Sequence, residues 1–419
     1  MNSIKKFAAI GGVVAIAACW PLAIGQFAQN TIQTEIGKLS KDEVNLELVK
    51  YDRGYLNSTA QTKVTVVEPV LKQQMELEGL PTSFTFNHTI HHGLFSLSTD
   101  SKPEDYQTLP MDVHSVTYLN GSSAIDINTQ KMTLQLKQSK SSFELSPLTL
   151  HVDAKKDGYA EFNYKLDSMN GHFGSGESLM ITALNGSGEG QKKGNIWIGK
   201  QDVTLGESNM IDNVGESVLD INQLHYKFDT VENAKQGTFS STHQVSADSV
   251  EIEDDTLNSL VFNTSFKDID MQAFSNILSL YQNPDKQFGN QEMKALMGYL
   301  DTVFEKGFTL SLDKMSTTIG EGKFNTDLTL QFPAGKKGVS QNPMQIMSSF
   351  NGGVNAFVSN EMEQKFPFIK QGLDNLIKQG VMSQKADGYY IKGDIKEGKV
   401  EFEGGKSMPL FALLAPLFL

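Results

Sequence analysis

Three of the chain's eight histidines fall within one stretch, FTFNHTIHHGLF, residues 84–95. His88, His91 and His92 raise the question of a metal site, which requires ligand nitrogens within about 2.0–2.1 Å of one ion. On a helix the three would share a face. Here Phe84, Phe86, His88 and Ile90 alternate with Thr85, Asn87 and Thr89, the period of a strand. At about 3.3 Å per residue, His88 and His92 then stand about 13 Å apart on one face, and His91 points the other way. As a strand the trio cannot chelate one ion. The expectation is a structural role beside the turn at Gly93, and no metal ligand is assigned.

Other patterns that could carry chemistry fail on their own spacing. Gly404-Gly405-Lys406-Ser407 resembles the end of a phosphate loop, but the first glycine of that loop is replaced by Val400, and Pro409 follows where a helix should begin. There is no G-x-S-x-G nucleophile elbow. His172 and Ser175 in NGHFGSGE lie in a glycine-dense segment that reads as a loop. Cys19 is the only cysteine, which excludes an intramolecular disulfide, a C-x-x-C redox pair and a cysteine zinc site. No catalytic residue and no cofactor is assigned. Acidic residues are numerous and scattered, so a carboxylate pair assembled in space stays open.

Arg53 is the sole arginine, and the other 35 basic residues are lysines. Arginine-clamp phosphoryl transfer, which relies on planar bidentate recognition, is therefore disfavoured. The formal net charge of −13 opposes binding to a phosphate backbone, so nucleic acid is not an expected partner. The Asp52-Arg53-Gly54 turn is expected to aim the lone guanidinium at carbonyls or a carboxylate of neighbouring strands, as a structural buttress.

The N-terminus supplies a location. Lys5 and Lys6 precede an uncharged, mainly apolar run from Phe7 to Phe27, about 21 residues and long enough to cross a bilayer as a helix. The lysines place the N-terminus in the cytoplasm. The favoured expectation is an uncleaved anchor; cleavage after Ala23-Ile24-Gly25 and lipidation at Cys19 are the alternatives. A single crossing through residues 7–27, with the bulk of the chain on the far side of the membrane from the cytoplasm, follows.

The elements that must position any site are mostly strands. A polar helix is expected over residues 29–39. Beyond it, period-two patterns recur over 44–48, 58–66, 113–119, 123–138, 143–154, 160–166, 178–184, 195–205, 218–228, 237–252 and 260–266. Asn120-Gly121, Asp157-Gly158, Asn170-Gly171 and Asn185-Gly186 read as hairpin turns between them. Helical spacing returns at Met271, Phe274, Ile277/Leu278 and Tyr281, and again from Met293 to Phe304, with Asn283-Pro284 between and Gly307 as a stop. Strands follow over 308–312 and 323–332, then a helix from Pro367 to Lys378, a hairpin of 388–392 with 399–403, and an apolar tail. The expected fold class is α+β, predominantly antiparallel β: a long curved meander sheet with a helical insertion and a C-terminal helix plus hairpin. The expected organisation is a membrane segment over 1–28, a β-rich lobe over 29–266, a helical hairpin over 267–306 and a C-terminal α+β lobe over 307–419.

Tyr51-Asp52-Arg53-Gly54-Tyr55-Leu56-Asn57-Ser58 resembles the Y-x-R-G-x-x-x-S element of the YdgA-like family of Gram-negative envelope proteins. His92-Gly93-Leu94-Phe95 resembles that family's H-G-P-F element, with Leu94 in place of proline. Asp387-Gly388-Tyr389-Tyr390, with Gly398 and Gly404-Gly405-Lys406, resembles its closing hairpin. The motif residues singled out are Tyr51, Arg53, Gly54, Ser58, His92, Gly93, Phe95, Gly388 and Tyr389, as structural positions. The resemblance implies a protein anchored in the inner membrane through residues 7–27 with the bulk of its chain in the periplasm, and supplies no catalytic residue. Together these readings lead to the expectation of a non-catalytic protein whose sheet binds a lipid, another apolar ligand or an envelope protein partner. A periplasmic hydrolase using a carboxylate pair is the alternative, and assembly into a homo-oligomer through the helices is a third reading.

Overall fold

A computed structural model describes residues 44–253, 255–281, 289–338, 340 and 342–414. Strand accounts for 60% and helix for 18%, in a 22-stranded antiparallel sheet with few helices. That is the α+β, predominantly β class expected. The membrane segment over 7–27, the helix over 29–39 and Asn283-Pro284 lie outside the described residues, and among those described no helix is long and apolar enough to cross a membrane. The chain forms two compact units, Met1–Glu189 with Thr204–Val218 and Gly190–Val203 with Leu219–Leu419.

The first unit contains β1 (Val44–Arg53), β2 (Asn57–Val66), β3 (Ser83–His92), β4 (Ser96–Pro103), β5 (Met111–Tyr118), β6 (Ser123–Thr129), β7 (Met132–Gln135), β8 (Ser142–Leu145), β9 (Leu148–Ala154) and β10 (Tyr159–His172). β1 to β6 pair in chain order, after which β6 pairs with β9 and the β7–β8 hairpin pairs through β8 with β10. The alternation read from sequence decides what is buried. Ser58, Ala60, Thr62, Val64 and Val66 point into the core from β2, and Phe86, His88 and Ile90 from β3. Of these, Ala60, Val64, Val66, Phe86 and Ile90 form one apolar cluster with Val44, Leu46, Met111, Val113, Ile125 and Ile127. In β1 an extra residue, Val49, interrupts the register between Leu48 and Lys50. This bulge returns Tyr51 to the core side, where it packs on the cluster.

A helix not foreseen from the sequence, α1 (Pro69–Glu78), lies between β2 and β3 and buries Met75 in the same cluster. Its signals were present: Pro69 in the first turn, Glu68 capping the amides of Val70 and Leu71, and Gly79 left-handed at φ 74° as the stop. Glu78 is buried, and its Oε2 accepts from the amides of Gln138 and Ser139 at 3.1 and 3.0 Å.

Two expected turns are strand interior. Asn170-Gly171 belongs to β10, and Asn185-Gly186 belongs to β11 (Ser178–Lys193). Both glycines give room to an aromatic ring instead of reversing the chain. A Cβ on Gly171 would lie 2.9 Å from Phe143, and one on Gly186 would lie 2.2 Å from the ring of Tyr164. Conversely, the runs expected over 123–138 and 143–154 are each broken in two, the second at Pro147, which has no amide hydrogen for the ladder.

Long strands follow: β12 (Ile196–Ile211), β13 (Ser217–Asn233), β14 (Thr238–Ile252) and β15 (Asp255–Asp270). The expected helical insertion comes next as α2 (Met271–Tyr281) and α3 (Asn290–Lys306), followed by β16 (Phe308–Ile319) and β17 (Gly322–Phe332). The second unit is completed by α4 (Pro343–Met347), β18 (Asn351–Ser359), α5 (Asn360–Lys365), a 3-10 turn at Pro367–Ile369, α6 (Lys370–Lys378), β19 (Ser383–Lys385), β20 (Gly388–Lys396), β21 (Lys399–Phe402), β22 (Ser407–Pro409) and α7 (Leu410–Leu414). Its core gathers Phe304, Phe308, Phe332 and Phe350, whose rings meet at centroid distances of 4.7–6.3 Å. The apolar tail begins inside this core, since Leu410 is completely buried.

Candidate functional site

Antiparallel order brings the turns after β1, β3 and β5 to the same end of the first unit. Asn57 pairs with His91 and Ser96 with Tyr118. The turns are also linked directly: the His92 amide donates to the Leu56 carbonyl at 2.7 Å, and the Leu119 amide to the Phe95 carbonyl at 3.3 Å. A Cβ on Gly54 would meet the Asn57 carbonyl oxygen at 2.1 Å and one on Gly93 the Ser96 carbonyl oxygen at 2.7 Å. The first two turns are therefore built too tightly for any side chain at these positions.

What the turns present is apolar. Tyr55 is 94% exposed, Leu94 90%, Leu119 78%, Phe95 73% and Leu56 65%. Seven large apolar side chains among the described residues are at least 65% exposed; five stand on these three tips, and the other two, Val214 and Phe368, stand apart in sequence. Isolated exposed apolar residues are ordinary, whereas a concentration of them marks a contact surface.

The motif residues of the two N-terminal elements converge here. Tyr51 is half-buried on the core, Gly54 and Gly93 form the turns, Phe95 is at an apex, and Ser58 Oγ lies 2.9 Å from His92 Nε2. Arg53 stands directly opposite Ser58 in the β1–β2 ladder. It is exposed and makes no ion pair or side-chain hydrogen bond among the described residues, so the expected buttress is overturned. Arg53 is the last residue of β1, beyond the point where the core can enclose it, so its guanidinium meets solvent. Tyr55, Leu56, Leu94, Tyr118 and Leu119 were not singled out from the sequence. The available signal was an apolar pair beside each turn glycine, after Gly54 and Gly93 and ahead of Asn120-Gly121, where turns are ordinarily polar.

The histidines behave as the strand reading requires. His88 is buried, with Nε2 2.8 Å from Thr62 Oγ1 and Nδ1 2.7 Å from Ser101 Oγ, and burial pushes its pKa down to about 4. His91 projects to the other face, where it meets Asn57 and Asp100. On that face Asp100, His114, Asp126 and His151 stand opposite one another along β4, β5, β6 and β9. His114 Nδ1 is 2.7 Å from Asp100 and His151 Nδ1 2.7 Å from Asp126. Hydrogen bonds to Asp126 and then Asp153 raise the His151 pKa. No group of three or more His, Cys, Asp or Glu among the described residues has the geometry to hold a metal ion.

Gly388 and Tyr389 belong to the second unit, on β20. A Cβ on Gly388 would come 2.3 Å from the Val358 carbonyl oxygen, so the glycine allows β20 to approach β18. Tyr389 is buried and donates from its hydroxyl to Glu363 at 2.5 Å. Beside them an open cleft of about 1120 Å³ is lined by Glu321, Glu361, Asp387 and Glu403 together with Lys323, Lys385 and Lys392. A hydrolytic carboxylate pair needs one member whose pKa is raised. In this cleft Glu361 is held low by the Ser359 hydroxyl and Glu403 by Lys392, the direction opposite to that of a proton donor. The aromatic face of the same unit is filled by its own rings: Tyr226 and Phe228 stack on His243, and Phe266 meets His243 edge-on.

A family model described as "Bacterial protein of unknown function (DUF945)" matches residues 4–411. No curated protein and no solved structure matches the chain.

Proposed function

The chain belongs to the DUF945 family of bacterial proteins of unknown function, and we propose that it is a non-catalytic envelope protein that binds an apolar partner through the hairpin tips of its first unit. The finer placement, among YdgA-like proteins held at the inner membrane by residues 7–27 with the remainder in the periplasm, is part of this proposal and rests on the N-terminal apolar run and the motifs. One observation carries the binding role: among the described residues, five of the seven most exposed large apolar side chains share three adjoining turns. A fold that needed only solubility would place polar residues there. The tightness of the turns at Gly54 and Gly93 and the Ser58–His92 bond hold these side chains outward at a fixed spacing, which limits the entropy lost on binding.

The test is photocrosslinking in cells of the full chain, with a photoreactive amino acid replacing Leu94, Leu119 or, as a highly exposed reference away from the tips, Val214. Crosslinks to lipid or to a recurrent protein at 94 and 119, and not at 214, are expected. Equal yields at all three positions, or none at the tips, would remove the binding role.

A further inference from the structure

We infer that the three hairpin tips insert into a phospholipid bilayer, with Arg53 holding a headgroup phosphate; this rests on the binding role just proposed for the same tips. The side chains are of the kinds that suit the boundary between headgroups and acyl chains. Leu56, Leu94, Leu119 and Phe95 are purely apolar, while Tyr55 and Tyr118 combine an apolar ring with a hydroxyl that can remain hydrated. All but Tyr118, which ends β5, stand in the turns themselves, so a fluid phase can surround them without a matching pocket. Arg53, next to the first turn, has no carboxylate partner among the described residues. Its planar fork of donors is free to take a phosphate in a bidentate manner.

A bilayer is within reach. If residues 7–27 are the anchor, the 17 residues from Phe27 to Val44 extend to at most about 60 Å. The ten residues of β1 separate Val44 from the tips by roughly 33 Å. The linker is longer than the strand, so the tips can return to the membrane that holds the anchor. Charge defines the kind of contact. With a net charge of −13, the chain cannot adsorb as a polybasic surface does. Lys50 is already paired with Asp52 at 2.6 Å. Attachment by apolar insertion and a single phosphate contact needs no anionic lipid and resists salt.

The single cysteine makes the test direct. The full chain carrying Cys19→Ser, with one new cysteine at Leu94, Leu119 or Val214, is labelled with a nitroxide and reconstituted into protein-free vesicles of phosphatidylcholine. Collision with dissolved oxygen, which enters bilayers, is compared with collision with a water-soluble nickel complex. The expected result is nickel accessibility several-fold lower at 94 and 119 than at 214, unchanged by added salt, and partly regained at 94 on Arg53→Ala. Circular dichroism of each labelled protein confirms that the fold is retained. Nickel accessibility at 94 and 119 equal to that at 214 overturns the inference. The same labels in native membranes then separate the two failures. Shielding there means a protein partner and leaves the binding role standing; exposure in both means that neither holds.

Discussion

Ser58 Oγ lies 2.9 Å from His92 Nε2 and joins the turn-proximal ends of two hairpins separated by 34 residues. Ser58 is 1% exposed, so the bond is shielded from water at one end. Ser58→Ala should lower stability by about 1 kcal/mol, the net worth of one such bond. It should also speed exchange of the His92 amide, which donates to Leu56. Urea unfolding and amide hydrogen exchange measure the two effects. If the His92 amide exchanges no faster in the variant, the bond does not organise the tips.

The turn glycines should rank by the hardness of what they meet. An alanine Cβ at Gly54 would sit 2.1 Å from a backbone oxygen, and at Gly93 2.7 Å from another. Backbone cannot swing aside like a flexible side chain. Gly54→Ala should therefore cost more than Gly93→Ala, with both in the range of about 1–3 kcal/mol. Gly372, inside α6 with nothing within 4 Å of its added Cβ, is the control, and Gly372→Ala should stabilise by up to about 1 kcal/mol. The three unfolding midpoints test the order.

His88 and His151 should give stability opposite dependences on pH. His88 is neutral in the fold down to about pH 4 because of burial, whereas in the unfolded chain it takes a proton near pH 6.5. Between those values the unfolded state binds more protons. The contribution of His88 is thus complete above pH 6.5 and is lost as pH falls toward 4, about 3 kcal/mol in all. For His151, raised by Asp126 and Asp153, the stabilisation is present below pH 6.5 and is lost as pH rises through the folded value. Imidazole resonances followed by NMR should titrate on opposite sides of 6.5. A His88→Gln variant whose stability falls as steeply between pH 6.5 and 4 as the parent's would show that His88 is not the source.

Gly186 and Tyr164 should be energetically coupled. The tyrosine ring occupies the space where a Cβ on Gly186 would be, 2.2 Å from its nearest carbon. Gly186→Ala should cost about 1–3 kcal/mol by displacing the ring. In a Tyr164→Ala background that penalty should largely vanish. A double-mutant cycle with purely additive effects would sink this explanation.

Why Asn185-Gly186 was misread as a turn follows from the same contact. An Asn-Gly pair has local meaning only when the glycine's freedom serves the backbone. Here the glycine serves a ring 22 residues away in sequence, and no window of neighbouring residues contains that information. The alternation of β1, β2 and β3 was legible because one face of each is buried. His88 inward and His91 outward followed from that period alone. The core-facing strands were therefore easier to read than the long strands from β10 onward, where intermediate exposure on both faces removes the contrast between inside and outside. Helix α1 was missed although its proline start and glycine stop were visible, because only Glu68 and Pro69 separate its first apolar residues, Val70 and Leu71, from the strand run that ends at Val67. The tips were half legible. Their motifs placed Gly54 and Gly93 at turns, but only the pairing of Ser96 with Tyr118 puts Leu119 beside Phe95. Arg53 was read for its chemistry and misplaced, since the end of a core is set by tertiary packing.

The bulge at Val49 acts as a phase shift of one residue. Upstream of it the even-numbered positions of β1, Val44 and Leu46, face the core; downstream the odd-numbered Tyr51 does. Were Val49 to take an ordinary place in the ladder opposite Gln61, the remainder of the strand would be rotated by half a period. Asp52 would be carried inward, and the side chains of Tyr51 and Arg53 would emerge on the face that now holds His91 and Asp100. The orientation of the lone arginine is thus encoded four positions before it, in a residue that contributes nothing to the tips except by standing outside the count.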